Sequence, residues 1–158
     1  MHKRGFFGVI CAMLGILLLL PDAAAQEKKA ERYKSFKSRS SNQDVSSLLN
    51  EARKLKDNNP REALDMVEEA LGLSLTGKDV LNEGRAYILL AEINEGIQEW
   101  KLALENYSSA YDRLKQAHTH TPEYKNTLRG LASTNLKLGN TTEALRFNQE
   151  ALTLQLST

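Results

Sequence analysis

The chain has one cysteine, and it is placed where it does no work in the folded protein. Cys11 lies in an N-terminal apolar run that is expected to be removed, so the mature chain has neither a disulfide nor a thiol nucleophile. Small exported domains usually lean on disulfides; this one must be held by packing. Histidine is nearly absent as well, with only His118 and His120 beyond the leader, and two imidazoles fall short of the three or four ligands a metal site needs. No metal and no cofactor is expected. Charge of one sign is also missing: the formal net charge is +1, and the leader itself carries Lys3 and Arg4 against Asp22, which leaves the mature chain neutral. Nothing in that balance points to nucleic acid. No stretch reads as a strand, and no trio of side chains suggests a nucleophile, base and orienting group. Catalytic residues are therefore expected to be none.

The first residues are an export signal. His2-Lys3-Arg4 form a basic head, Gly5 to Leu20 is an almost unbroken apolar run, Pro21 breaks it, and Ala23 and Ala25 supply the small residues of a cleavage site. The run is shorter than the ~20 residues that span a bilayer as a helix. Cleavage after Ala25 is expected, with an exported, periplasmic or secreted product that keeps no membrane span. Residues 26–42, QEKKAERYKSFKSRSSN, are polar, basic and without apolar periodicity, and read as a solvated linker.

From Asp44 onward the spacing of apolar residues is helical. Val45, Leu48, Leu49, Ala52 and Leu55 mark a first helix. Asn59 and Pro60 open a second, with Glu62 at its third position, and Thr76-Gly77 closes it with glycine in the left-handed form. A third runs from about Val80 to Glu95 and breaks at Gly96. A fourth runs from about Glu99 to Gln116. Thr121 and Pro122 open the fifth, Gly139-Asn140 ends it, and the sixth begins at Thr141.

The helices repeat in pairs. Residues 62–75 (EALDMVEEALGLSL) and 143–156 (EALRFNQEALTLQL) share Glu, Ala and Leu at eight positions, each pair 81 residues apart. A looser copy lies midway, and the alanines Ala63, Ala103 and Ala144 are 40 and 41 residues apart. A fixed period of this size signals a solenoid of stacked helical pairs, each burying its apolar face against its neighbours. The units are about 44–76, 79–117 and 121–158. GLSLTGKD at residues 72–79 nearly spells a phosphate-binding loop, but Asp79 replaces the required hydroxyl and a helix precedes it, so a helix terminus is the reading.

The pairs resemble tetratricopeptide repeats. The middle unit carries the pattern most fully, with Tyr87, Leu90 and Ala91 on its first helix, Trp100 at the turn, and Ala103, Tyr107 and Ala110 on its second. The last unit offers Leu128, Leu131, Ala132, Ala144 and Ala151, with Asn148 where an aromatic is usual. The first offers Leu48, Ala52, Ala63, Val67 and Ala70. The period exceeds the family's usual ~34 residues. The resemblance implies an all-α, right-handed solenoid of about three hairpins, six helices in all, that binds a protein or peptide in a concave groove without catalysis.

It also implies where that groove lies, on the outward positions of each first helix. These are Leu49, Arg53 and Lys56, then Arg85, Ile88, Glu92 and Glu95, then Asn126, Arg129, Ser133 and Lys137. The sign of charge runs basic, acidic, basic, which suits a mixed-charge segment. The family's clamp for a peptide C-terminus wants Lys and Asn where this chain has Ile88, Glu92, Arg129 and Ser133, so that ligand is not expected. Repeats directly behind a leader are also similar in layout to the extracytoplasmic sensor regions of bacterial histidine kinases and transcriptional regulators. The alternative is therefore the sensory front of a longer signalling protein. Finally, the last helix is apolar over an arc as wide as that of an internal helix, so self-association or further repeats are expected to cover Phe147 and Leu154.

Overall fold

Six helices alternate with tight turns in a computed structural model that describes residues 44–116 and 118–156. They are α1 (Val45–Leu55), α2 (Pro60–Gly77), α3 (Val80–Gly96), α4 (Trp100–Leu114), α5 (Pro122–Lys137) and α6 (Thr141–Leu156). No strand occurs among the described residues. The leader and the basic linker lie outside them. Among the described residues no helix is long and apolar enough to cross a membrane.

Local chemistry sets the helix starts. The Asp44 carboxylate accepts from the Ser47 backbone N–H at 2.8 Å, Asp79 from that of Asn82 at 3.1 Å, and the Thr121 hydroxyl from that of Tyr124 at 3.3 Å. Each satisfies a donor that the first helical turn leaves unpaired. Asn59 departs from expectation: its side chain caps no backbone group and donates instead to the Glu62 carboxylate. One helix end differs from the sequence reading: the left-handed residue after α2 is Lys78 (φ 56°), not Gly77. After α3, which ends at Gly96 as expected, the left-handed residue is Gln98 (φ 63°). In both places the helix runs through the glycine, and the chain closes on itself beyond it. Asp79 N–H donates to Ser74 O at 2.9 Å and Glu99 N–H to Asn94 O at 2.8 Å. Gly139, where α5 was expected to stop, is left-handed (φ 80°).

Each helix packs on the next in sequence, and the first helices of successive hairpins also touch, α1 on α3 and α3 on α5. The alanines make this possible. Ala52, Ala63, Ala70, Ala86, Ala91, Ala103, Ala110, Ala132 and Ala144 are all buried, and small side chains let axes approach while Tyr107, Leu114, Leu128 and Leu131 fill the space between. One cluster runs through hairpins 2 and 3, from Ile88 and Ala91 through Tyr107 and Tyr124 to Phe147, with Tyr87, Ala151 and Leu154 partly buried against it. Leu90 is buried and Trp100 half-buried. The period also shows in buried amides: Asn94 and Asn135, 41 residues apart, each donate to the carbonyl four residues back.

The two ends of the array differ. Positions that α3 and α5 bury as Ala86, Leu90 and Ile93, or Thr127, Leu131 and Thr134, hold Ser47, Glu51 and Lys54 in α1, all exposed. On α6, Leu145, Leu152 and Leu156 are 64%, 56% and 80% exposed. The sequence expectation named the wrong residues of this helix. Phe147 is buried, edge-on to Tyr111 with ring centroids 5.7 Å apart, and Leu154 packs against the same cluster. The helix turns its aromatic inward because α4 and α5 offer two tyrosines to receive it. The apolar surface it leaves open is leucine.

Candidate functional site

The stripe of outward positions on the first helices opens into a cleft of about 430 Å³. From α1 come Ser46, Leu49, Asn50 and Arg53, from α3 Asn82, Arg85, Ile88 and Glu92, and from α5 Pro122, Glu123 and Asn126. Leu49 and Ile88 are buried, and form an apolar floor under a polar rim.

Charges on that rim are arranged in pairs. Lys56 Nζ lies 2.8 Å from Glu92 Oε2 and links hairpins 1 and 2. Arg85 places both Nε and Nη2 at 2.8 Å from Glu123 Oε1 and links hairpins 2 and 3, while its Nη1 donates to Asn82 Oδ1 at 3.3 Å. Partial burial pushes the Glu123 carboxyl up. Its own backbone N–H and the Arg85 guanidinium outweigh that, with Arg53 adding to them, so the group is held below its usual range. It stays ionised in neutral solution and keeps the Arg85 pair closed.

Of the expected groove residues, Leu49, Arg53, Arg85, Ile88, Glu92 and Asn126 line the cleft, and Lys56 stands behind Glu92. The others are elsewhere. Glu95 is a strut: it accepts from the Tyr107 hydroxyl at 3.0 Å and from the Thr134 hydroxyl at 2.8 Å, so its charge is spent between hairpins 2 and 3. Lys137 sits over the Trp100 ring at 5.7 Å. Arg129 and Ser133 are exposed on α5 but do not line the cleft. Ser46, Asn50, Asn82, Pro122 and Glu123 line it without having been anticipated. Three of them stand three residues before an anticipated position, Ser46 before Leu49, Asn82 before Arg85 and Glu123 before Asn126, so extending each stripe by one helical turn would have found them.

A second polar cluster closes the other side of hairpin 3. Glu150 accepts from the Tyr124 hydroxyl and, at 3.2 and 3.3 Å, from that of Tyr111, whose ring stacks on Tyr124 with centroids 5.6 Å apart. Burial first, and then the neighbouring carboxylate, push Tyr124 above the usual tyrosine range. Burial and Glu95 do the same to Tyr107.

Residues 82–157 match the family model of the tetratricopeptide repeat. This part of the chain is made of tetratricopeptide repeats. The match takes in hairpins 2 and 3. Hairpin 1 precedes it, yet buries Ala52, Ala63 and Ala70 in the same register. No curated protein and no solved structure gives a match. Repeats of this family mediate protein–protein interaction and typically serve as non-catalytic scaffolds.

Proposed function

We propose that this tetratricopeptide-repeat protein is an exported scaffold, not an enzyme, whose cleft takes an extended segment of a protein or peptide. The observation that carries this reading is the cleft itself. It crosses the first helices of all three hairpins, has an apolar floor, and presents amides and charges along its rim, as a strand-like ligand requires. The ion pairs across its rim suit a mixed-charge ligand better than an anionic polymer such as nucleic acid. A displayed library of random peptides panned on the purified protein is expected to yield binders. Asn50→Trp, which fills the cleft from an exposed position, should weaken them at least about tenfold, a contact loss of ~1.4 kcal/mol. The exposed control Glu105→Trp on α4 should leave them unchanged. Binders indifferent to Asn50→Trp would place recognition on another face.

The basic head, the apolar run and Ala23/Ala25 support export. N-terminal sequencing of protein from the native host is expected to begin at Gln26. A membrane-retained product that begins at Met1 would refute that part of the reading.

A further inference from the structure

Both carboxylates that line the cleft already have a cation, Glu92 from Lys56 and Glu123 from Arg85. The Arg53 side chain makes no hydrogen bond or ion pair with any described residue, although it is close enough to Glu123 to act on its charge. Among the described residues the cleft therefore holds one guanidinium with no carboxylate in hydrogen-bond contact, at its α1 end beside the buried Leu49 and Ile88. A planar guanidinium offers a fork of donors matched to a carboxylate, and the pairing gains strength where an apolar surface excludes water on one side. The side chains of Asn50 and Asn126 likewise make no hydrogen bond to described residues, so their amides are available to the main chain of a ligand.

From this we infer that the cleft is selective for a segment with an internal acidic side chain beside an apolar one, the carboxylate on Arg53 and the apolar group on the Leu49–Ile88 floor. In an extended chain, side chains two residues apart point the same way at a separation of about 7 Å. The pattern is therefore apolar, any residue, acidic. The commitment is to a side-chain carboxylate within the segment, because the cleft crosses all three first helices and so suits a chain that continues past Arg53. This inference rests on the cleft being the binding face.

The test titrates the blocked peptide acetyl-Gly-Ser-Leu-Ser-Glu-Gly-amide into isotopically labelled protein and follows the Arg53 Nε–Hε resonance together with the side-chain amides of Asn50 and Asn126, which report on the Arg53 variants as well. Saturable shifts are expected, with affinity about tenfold or more lower when Gln replaces Glu in the peptide, or in the Arg53→Gln protein. Arg53→Lys should recover part of the affinity, and added salt should reduce it. Arg53 is exposed, so an unchanged melting temperature will show that the variants fold. Equal affinity for the Glu and Gln peptides, or no shift with either, overturns the inference. So does tighter binding of an acid-free peptide with a free C-terminus, which would assign the site to chain ends. Displayed peptides that depend on Asn50 but show no preference for acid would sink this inference alone and leave the cleft as the binding face.

Discussion

Gly130→Ala is expected to destabilise the protein by about 3 kcal/mol, a large effect for one methyl group. A Cβ at Gly130 would stand 2.3 to 2.7 Å from three atoms of the Tyr107 ring. The ring has no easy retreat. It is buried in the cluster shared by hairpins 2 and 3, and its hydroxyl is tied to Glu95, which Thr134 holds from the same helix as Gly130. Moving the ring costs packing and a charge-assisted hydrogen bond together. Gly72→Ala is the control: it lies in α2 with nothing within 4 Å of the added methyl, and should gain about 0.5–1 kcal/mol from helix propensity. Equilibrium denaturation of both variants checks the pair, and two glycines that behave alike would mean that Tyr107 is not seated against Gly130.

Alkali should unfold this protein more steeply than its composition suggests. Tyr107 and Tyr124 are both held above the ordinary tyrosine range, by burial first and then by a neighbouring carboxylate. A raised pKa in the folded state means that the proton is bound more tightly there than in the unfolded chain. The resulting stability is fully present below the unfolded value of ~10 and is lost as pH rises through the folded value. Above pH ~10 each group withdraws about 1.4 kcal/mol per pH unit, and the two together about twice that. The denaturation midpoint should fall sharply from there, and Tyr107→Phe should roughly halve the slope. If tyrosinate absorbance developed at all five tyrosines with the helices intact, these two hydroxyls would not be confined as described.

The architecture was legible because the same constraint is written three times. Ala63, Ala103 and Ala144 recur at near-constant spacing since each must admit a neighbouring helix, and all three are fully buried. Helix ends were less legible. Gly77 and Gly96 permit a left-handed turn but do not demand one. The backbone bonds that close the turn decide its place, and they put it at Lys78 and Gln98. The site was legible as a stripe but not in its level. In register, Arg129 and Ser133 on α5 correspond to Ile88 and Glu92 on α3, yet the cleft uses only the beginning of α5, at Pro122, Glu123 and Asn126. The cleft runs obliquely across the first helices, from the middle of α1 to the start of α5, and no residue in the sequence announces that slant. Nor could the sequence show that Glu95 would be drawn off to Tyr107 and Thr134, since a glutamate on a helix face reads as solvated until its partners are placed.

The bonds between hairpins are unequal, and that divides the cleft into a firm part and a loose part. Hairpins 2 and 3 share one apolar cluster, the Glu95 strut and the Arg85–Glu123 pair. Hairpin 1 buries its own apolar residues, Leu48, Leu49, Met66 and Val67 among them, and packs on α3 through both its helices, but among the described residues the polar tie across this junction is the part-exposed Lys56–Glu92 pair. In a linear array each unit leans only on its neighbours, so the junction with fewer polar ties opens more readily and leaves the remainder folded. Leu49, Asn50 and Arg53, one wall of the cleft, ride on that junction. A ligand spanning from Arg53 to Asn126 would clasp hairpin 1 to the other two, and would be felt as protection of α1 from exchange with solvent while α5 stayed as it was. Recognition and the closing of one end of the array would then be a single event.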